Sequence, residues 1–306
     1  MSLYALLAGK GPSGFGYGST AEQVTDGLSL AGKTILITGC NSGLGYEAMR
    51  VLALRGARVV ATARTLEKAK AACASVVGET VPLACELADP ASVRACVAAV
   101  KAADLRLDAI IANAGIMALP KLQQAFGLEL QFLTNHIGHF ILVTGLLEQL
   151  TDDGRVVMMS SAAHTMAPKA GIEFDNLSGE KNYVSWKQYG QSKMANLLFA
   201  KELARRFAGT KRTANAVHPG VIQTNLGRHM NPVAQFFFGL TDKIALKSAE
   251  QGAATEVYVA VHPSVAAISG KYFADCNVAR ERDDANDPEL ARKLWQVSED
   301  IVAKLP

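Results

Sequence analysis

The stretch Thr34-Ile35-Leu36-Ile37-Thr38-Gly39-Cys40-Asn41-Ser42-Gly43-Leu44-Gly45 decides the fold. A short apolar run ends in a glycine-rich turn, and an amphipathic helical pattern, Gly43–Leu54, follows with no spacer. Glycines at such a strand-to-helix turn let the backbone bend sharply and approach a pyrophosphate, whose charge then rests on the unpaired amides of the helix N-terminus. The spacing is not the G-x-G-x-x-G of two-domain dehydrogenases. A second glycine cluster, Gly14-Phe15-Gly16-Tyr17-Gly18, has no strand before it and no helix after it, so it reads as flexible arm.

Working outward, short apolar runs alternate with amphipathic stretches, the pattern of a parallel sheet covered by helices. Seven strands are expected: Thr34–Thr38, Ala57–Ala63, Val81–Glu86, Ala109–Ala112, Arg155–Ser160, Thr213–Val217 and Gly270–Ala274. Helices are expected over Gly43–Leu54, Ser92–Lys101, Phe126–Leu150, Tyr189–Arg206, Ala249–Val261 and Asp287–Ala303. The predicted fold is α/β, a Rossmann-type doubly wound seven-stranded parallel sheet with helices on both faces. Residues 1–30 are expected as an arm, and 31–306 as one nucleotide-binding domain with a loop or lid over about 225–248 and a C-terminal helix over about 287–303. Two connections, Ala162–Gln188 and Gly227–Lys247, are long enough to be binding loops. The patch Phe236–Leu240 in the second could be a substrate lid, a dimer contact, a membrane-surface wedge or packed core, and its position after Pro219 favours the lid.

The chain has 306 residues, 49% hydrophobic and 19% charged, enough for one substantial core. Its net charge of +3 is spread without a Lys/Arg run, which removes nucleic acid as a partner. The five cysteines form no C-x-x-C pair and leave one over, against both a disulfide framework and a zinc ribbon, so a reducing, cytoplasmic location is expected. The opening apolar stretch is too short for a secretion signal or a span, and no integral membrane segment is expected.

Chemistry-bearing residues cluster toward strand ends. After the second strand, Ala63-Arg64 carries a guanidinium where an NAD-preferring protein would place an acid for the ribose hydroxyls. Arginine suits a 2′-phosphate through charge-assisted hydrogen bonds, so NADP(H) is favoured as cofactor, with NAD(H) the alternative. Tyr189 and Lys193 stand four apart at the start of an amphipathic helix and share one face. A phenol is a poor base at neutral pH, and a neighbouring ammonium can favour its ionised form. Tyr183 and Lys187 repeat the spacing, but in a polar segment that need not be helical, so the chemistry is assigned to the later pair. Ser161, at the end of the fifth strand, is placed to hold a carbonyl oxygen.

Taken together, these residues resemble the short-chain dehydrogenase/reductase family from about Leu30 to Asp275. The family's T-G-x-x-x-G-x-G turn is met by Thr38 to Gly45, its N-N-A-G strand end by Ala112-Asn113-Ala114-Gly115, and its P-G segment by Pro219-Gly220-Val221-Ile222-Gln223-Thr224. Its catalytic asparagine, serine and Y-x-x-x-K are met by Asn135, Ser161, and Tyr189 with Lys193. The resemblance implies that Tyr189 exchanges a proton with the substrate oxygen and Ser161 steadies that oxygen. Lys193 would lower the tyrosine pKa and hold the nicotinamide ribose, and Asn135 would keep a water in a proton relay. It also implies a cofactor lying along Gly39, Asn41, Ser42, Gly43, Leu44, Gly45, Arg64, Glu86, Leu87, Asn113, Ala114, Gly115, Tyr189, Lys193, Pro219, Gly220, Ile222 and Thr224, with no metal. Ala112 replaces the family's first asparagine, and Glu86 stands where an aspartate commonly meets the adenine amino group.

Within the family the likeness is greatest to the retinol-dehydrogenase-like branch, which includes the catalytic part of the WW-domain oxidoreductase and bacterial relatives. Asn135-His136-Ile137-Gly138-His139-Phe140 and Phe174-Asp175-Asn176-Leu177 carry it. The activity it implies is oxidoreduction of a small lipophilic alcohol, aldehyde or ketone. Family members pair through the helices bearing Asn135 and Tyr189, but the insertion beside Tyr189 argues against a tetramer and leaves monomer and homodimer open. Two rival readings differ in class of function. His136-Ile137-Gly138-His139 spells the signature of class I aminoacyl-tRNA synthetases, yet it neither follows the first strand nor precedes a Lys-Met-Ser-Lys-Ser loop; packed histidines are the better reading. A catalytically silent NADP(H)-binding scaffold or sensor would keep the fold, though it has no need of the Asn, Ser, Tyr, Lys set.

Overall fold

The computed structural model describes residues 9–222 and 246–306. Strand β1 (Thr34–Thr38) is buried along its whole length and feeds helix α2 (Gly43–Leu54); a short helix, α1 (Ala21–Val24), precedes them. Then come β2 (Arg58–Ala63), α3 (Leu66–Cys73), β3 (Thr80–Ala84), α4 (Pro90–Ala102) and β4 (Leu107–Ala112). Helix α4 starts as its sequence dictates, with Asp89 capping the Ala91 amide and Pro90 in the first turn, where its missing N–H costs nothing.

Past β4 the expected helix Phe126–Leu150 is not continuous. A two-stranded hairpin, β5 (Gln124–Ala125) and β6 (Leu128–Glu129), occupies its start, with Phe126 and Gly127 both at positive φ in the turn. Helix α5 (Leu130–Phe132), a π-helical turn (Leu133–Ile137) and α6 (Gly138–Gly145) follow. The remaining elements are β7 (Leu150–Met159), α7 (Ser185–Arg206), β8 (Thr213–His218), α8 (Ala249–Gly252), α9 (Ala254–Val261), β9 (Tyr272–Ala274), β10 (Asn277–Val278) and α10 (Pro288–Val302).

The sheet order is β3-β2-β1-β4-β7-β8-β9-β10. All neighbours are parallel except β9 and β10, which form an antiparallel edge hairpin. The sheet therefore has eight strands, not seven: β10 is only two residues long, and two residues carry no readable alternation. Strand order reverses between β1 and β4, so their carboxyl ends open a crevice of the kind where ligands bind in doubly wound folds. Helices cover both faces in two buried clusters. Helix α10 packs on α7, with Trp295 against Phe140 and Phe199 and the Arg206 guanidinium 3.8 Å from the Trp295 ring. No described helix is long and apolar enough to cross a membrane.

The expected N-terminal arm is corrected for residues 9–30. Ala21 and Val24 are buried, Thr20 and Gln23 form a capping box at α1, and Phe15 packs edge-on against Tyr258. The Asn277 side chain accepts the Ser13 amide and donates to the Phe15 carbonyl. The glycine cluster is thus a docked turn, held by a partner some 260 residues away that local reading could not supply.

Candidate active site

The crevice is built first by hydrogen bonds that lock the end of β1 to the end of β4. Gly39 and Cys40 donate their amides to the Thr62 carbonyl at the end of β2. The Asn113 amide donates to the Thr38 carbonyl at 2.8 Å, and the Ala114 N–H donates to the Thr38 hydroxyl at 2.9 Å. That hydroxyl in turn meets His139 Nε2 at 2.8 Å, while His139 Nδ1 sits 2.9 Å from the Asn135 carbonyl. A carbonyl only accepts, so Nδ1 carries the proton and Nε2 accepts from Thr38. Burial holds His139 neutral by lowering its pKa to about 4.

The glycine turn is shaped for close approach. Gly39 (φ +78) faces Ala114, and a Cβ on Gly45 would lie 2.5 Å from both the Gly39 carbonyl oxygen and Asn113 Nδ2. Gly43 (φ +61) instead faces open space, and Asn41, Ser42 and Gly43 are exposed. Ser42 is the N-cap of α2, yet its side chain makes no capping hydrogen bond. A helix N-terminus of three turns is thus left with its amides toward the crevice, a ready seat for an anionic pyrophosphate. Leu44 and Ile222 converge on Gly252, which brings the segment after β8 against the first turn of α2.

The other sequence-predicted contacts are placed as follows. Arg64 is exposed just after β2 and forms no ion pair among the described residues. Glu86 follows β3 and accepts the Ala88 amide; Leu87 beside it is buried. Gly115 lies between Asn135 and Lys193, since its Cβ would stand 3.0 Å from Asn135 Oδ1 and 3.4 Å from Lys193 Nζ. Pro219 and Gly220 leave the end of β8, Gly220 with φ +93. Thr224, the Phe236–Leu240 patch and most of the expected loop 225–248 lie outside the described residues.

Asn135, Ser161, Tyr189 and Lys193 come together where β4 and β7 end. Asn135 sits in the π-helical turn, where the widened backbone re-aims a side chain that a regular helix would direct elsewhere. Its Oδ1 accepts from the Ile116 amide, and its Nδ2 donates to the Ile116 carbonyl and to Ser192 Oγ. Ser161 caps a 3-10 turn (Ala162–Met166) after β7, accepting the Ala163 amide, and stands close enough to the Tyr189 phenol to favour its ionised form. Lys193 Nζ lies 5.6 Å from the Tyr189 ring centre and donates to the Met159 carbonyl at 3.1 Å.

Burial sets the electrostatics. Tyr189 is 7% exposed and burial pushes its phenol up to about 12, with nearby Ser161 acting the other way. Burial also pulls the Lys193 ammonium down to about 8. The alternative pair is taken apart: Tyr183 precedes α7 and donates its hydroxyl to the Leu119 carbonyl, while Lys187 pairs with Glu173 at 2.5 Å. Sequence reasoning missed the Thr38–His139–Asn135 brace, Ser192, and Trp186, whose ring stands edge-on to Tyr189 at 5.9 Å. Thr38, Asn135, His139 and Ser192 lay inside motifs already read, but those motifs carry no sign of the contacts that join them. Among the described residues no cluster of His, Cys, Asp or Glu could hold a metal ion.

A doubly wound sheet with an open glycine turn at its switch point, a buried Tyr and Lys beside it and a half-buried Ser next to them, defines a dinucleotide-dependent oxidoreductase class. The chain belongs to the short-chain dehydrogenase family: the family model "short chain dehydrogenase" matches residues 33–234. Its place is in the retinol-dehydrogenase-like branch. It is 40% identical to short-chain dehydrogenase TIC 32 A, chloroplastic, of Brassica napus, over 100% of both chains. It is 38% identical to retinol dehydrogenase 14 of Homo sapiens, over 90% of this chain and 88% of that one. Among solved structures, an uncharacterized protein from Mycobacterium paratuberculosis aligns with TM-score 0.76 at 34% identity, covering 92% of this chain and 97% of that one.

Proposed function

We propose that this oxidoreductase is NADP(H)-preferring and interconverts a small lipophilic alcohol with its aldehyde or ketone, Tyr189 acting as the acid/base. The observation that carries this reading is the meeting of Tyr189, Ser161 and Lys193 beside an uncapped helix N-terminus. The residues fit a dinucleotide: Gly39 to Gly45 would seat the pyrophosphate, Arg64 the 2′-phosphate, Glu86 and Leu87 the adenine, and Pro219, Gly220 and Ile222 the nicotinamide half. When bound, the nicotinamide supplies or accepts the hydride.

The protein's own part is the proton and the oxygen that carries it. In reduction, the Tyr189 O–H donates to the carbonyl oxygen as negative charge grows there, and the Ser161 hydroxyl donates a second hydrogen bond to the same oxygen. Lys193 favours the phenolate that results. Asn135, its side chain satisfied within the protein, braces the strand end against α7. Trp186 gives the phenol an apolar neighbour, which together with the name of the retinol dehydrogenase relative supports a lipophilic substrate.

Titration with NADPH and NADH side by side, then a panel of hydrophobic aldehydes, tests the reading. NADPH is expected to bind at least tenfold tighter than NADH. Arg64→Ser should cost roughly 10–100-fold in NADPH affinity and little with NADH, the loss of one charge-assisted phosphate contact. Tighter NADH binding by the wild type would overturn the Arg64 assignment, and NADPH binding without turnover of any aldehyde would favour the silent scaffold. Gly45→Ala probes the cradle. Its methyl group meets backbone, so it is expected to cost about 1–3 kcal/mol of stability and to weaken NADPH binding, both seen by comparing melts with and without NADPH.

A further inference from the structure

Lys247 plays no part in the chemistry proposed above, yet it is 1% exposed at the rim of the site. Its Nζ lies 2.6 Å from Asp275 Oδ1 and 4.6 Å from the centre of the Tyr17 ring. Its stem runs against Gly220, where a Cβ would stand 2.7 Å from Lys247 Cδ and 2.9 Å from Cε. Its backbone N–H donates to the Val221 carbonyl at 2.9 Å, and Ile222 pairs with it in a parallel bridge. Asp275 stands at φ 51 in the tight turn between β9 and β10, and Asn277 two residues on holds the Ser13–Phe15 turn. One side chain thus joins the segment after β8, the sheet-edge hairpin and the docked N-terminal turn.

A buried ammonium is costly even when paired, and an apolar residue would fill the same space at less cost. Its retention here coincides with contact along Gly220, Val221 and Ile222, the stretch assigned to the nicotinamide half of the cofactor. We propose that Lys247, clamped by Asp275 and Tyr17, is a positioning residue that holds the Pro219–Ile222 segment in the conformation the cofactor requires. The clamp also gives the N-terminal turn a purpose: Tyr17 covers the ammonium, and Asn277 anchors the Ser13–Phe15 turn just before it. This inference rests on the dinucleotide reading of the crevice.

Lys247→Met keeps the stem and removes the charge; Asp275→Asn keeps the ammonium and the shape of its partner. Each full-length variant is titrated with NADPH and assayed with the best aldehyde, and melts establish the temperature at which it is folded. The expected result is a rise of tenfold or more in NADPH Kd and KM for Lys247→Met, with kcat at saturating NADPH within threefold of wild type. Asp275→Asn should shift the same constants in the same direction, and it carries the test alone should Lys247→Met not fold. An unchanged NADPH Kd in folded variants, even with a lowered melting temperature, would make Lys247 merely structural and overturn the proposal. So would a fall in kcat with KM unchanged. A wild-type chain that binds neither NADPH nor NADH overturns the dinucleotide reading and this inference with it; wild-type binding matched by both variants overturns the inference alone.

Discussion

Tyr189→Phe is expected to lower turnover by about a thousandfold or more while leaving NADPH affinity within about threefold, since positioned acid/base groups contribute typically 10²–10⁴. The substitution removes one oxygen and little else. The ring keeps its edge-on contact with Trp186 at 5.9 Å and its place under Lys193 Nζ at 5.6 Å. What disappears is the O–H that burial holds protonated, with a pKa of about 12. Tyr183→Phe supplies the control. It forfeits a hydroxyl bonded to the Leu119 carbonyl, worth about 1 kcal/mol of stability, and turnover should change less than threefold. Steady-state rates with one aldehyde, together with NADPH titrations, decide the matter. A Tyr183 variant that loses activity while Tyr189→Phe keeps it would mean that the wrong phenol carries the proton.

The reading that separates the two tyrosines shows where the information in the sequence lies. Tyr189 is followed by an apolar helical face and Tyr183 is not, so local periodicity separates them, and α7 begins between them at Ser185. The sheet was legible for the same reason: strands covered on both faces are written as apolar runs. Features that depend on distant partners were not. The π-helical turn at Asn135 leaves no mark in residue spacing, and the 124–129 hairpin needs two positive-φ residues, only one of them glycine. The docking of residues 9–30 relies on Asn277 and Tyr258, and the burial of Lys247 on Asp275 and Tyr17. Helix α3 was passed over because its alanines and lysines gave no apolar stripe to read. Residue types at strand ends are thus visible one by one, whereas the contacts that orient them belong to the folded chain.

The strongest pH effect on stability is expected from a residue outside the crevice. Glu256 on α9 is fully buried, and neither carboxyl oxygen has a hydrogen-bond partner among the described residues. The helix packs against β4, β7, β8 and α1, and burial alone accounts for the shift of the carboxyl. Deprived of water by burial, the carboxyl is raised from 4.5 to about 8. The unfolded chain releases this proton near 4.5 and the folded chain only near 8, so folding takes up a proton between them. The neutral acid's full stability is present below pH 4.5. It is lost as pH rises, at about 1.4 kcal/mol per unit through that window, and the loss levels off above pH 8. His136 and His139, buried with pKa values lowered to about 3 and about 4, act oppositely and add stability as pH rises toward 6.5. Glu256→Gln leaves those histidines alone and removes the glutamate's titration. At pH 5 the variant should lie within about 1–2 kcal/mol of wild type, on the weaker side because the amide brings donors with no partner. At pH 9 it should be more stable by roughly 2–4 kcal/mol. Urea unfolding at pH 5, 7 and 9 measures the divergence, and two stability curves running parallel across that range would show that Glu256 does not stay protonated in the folded core.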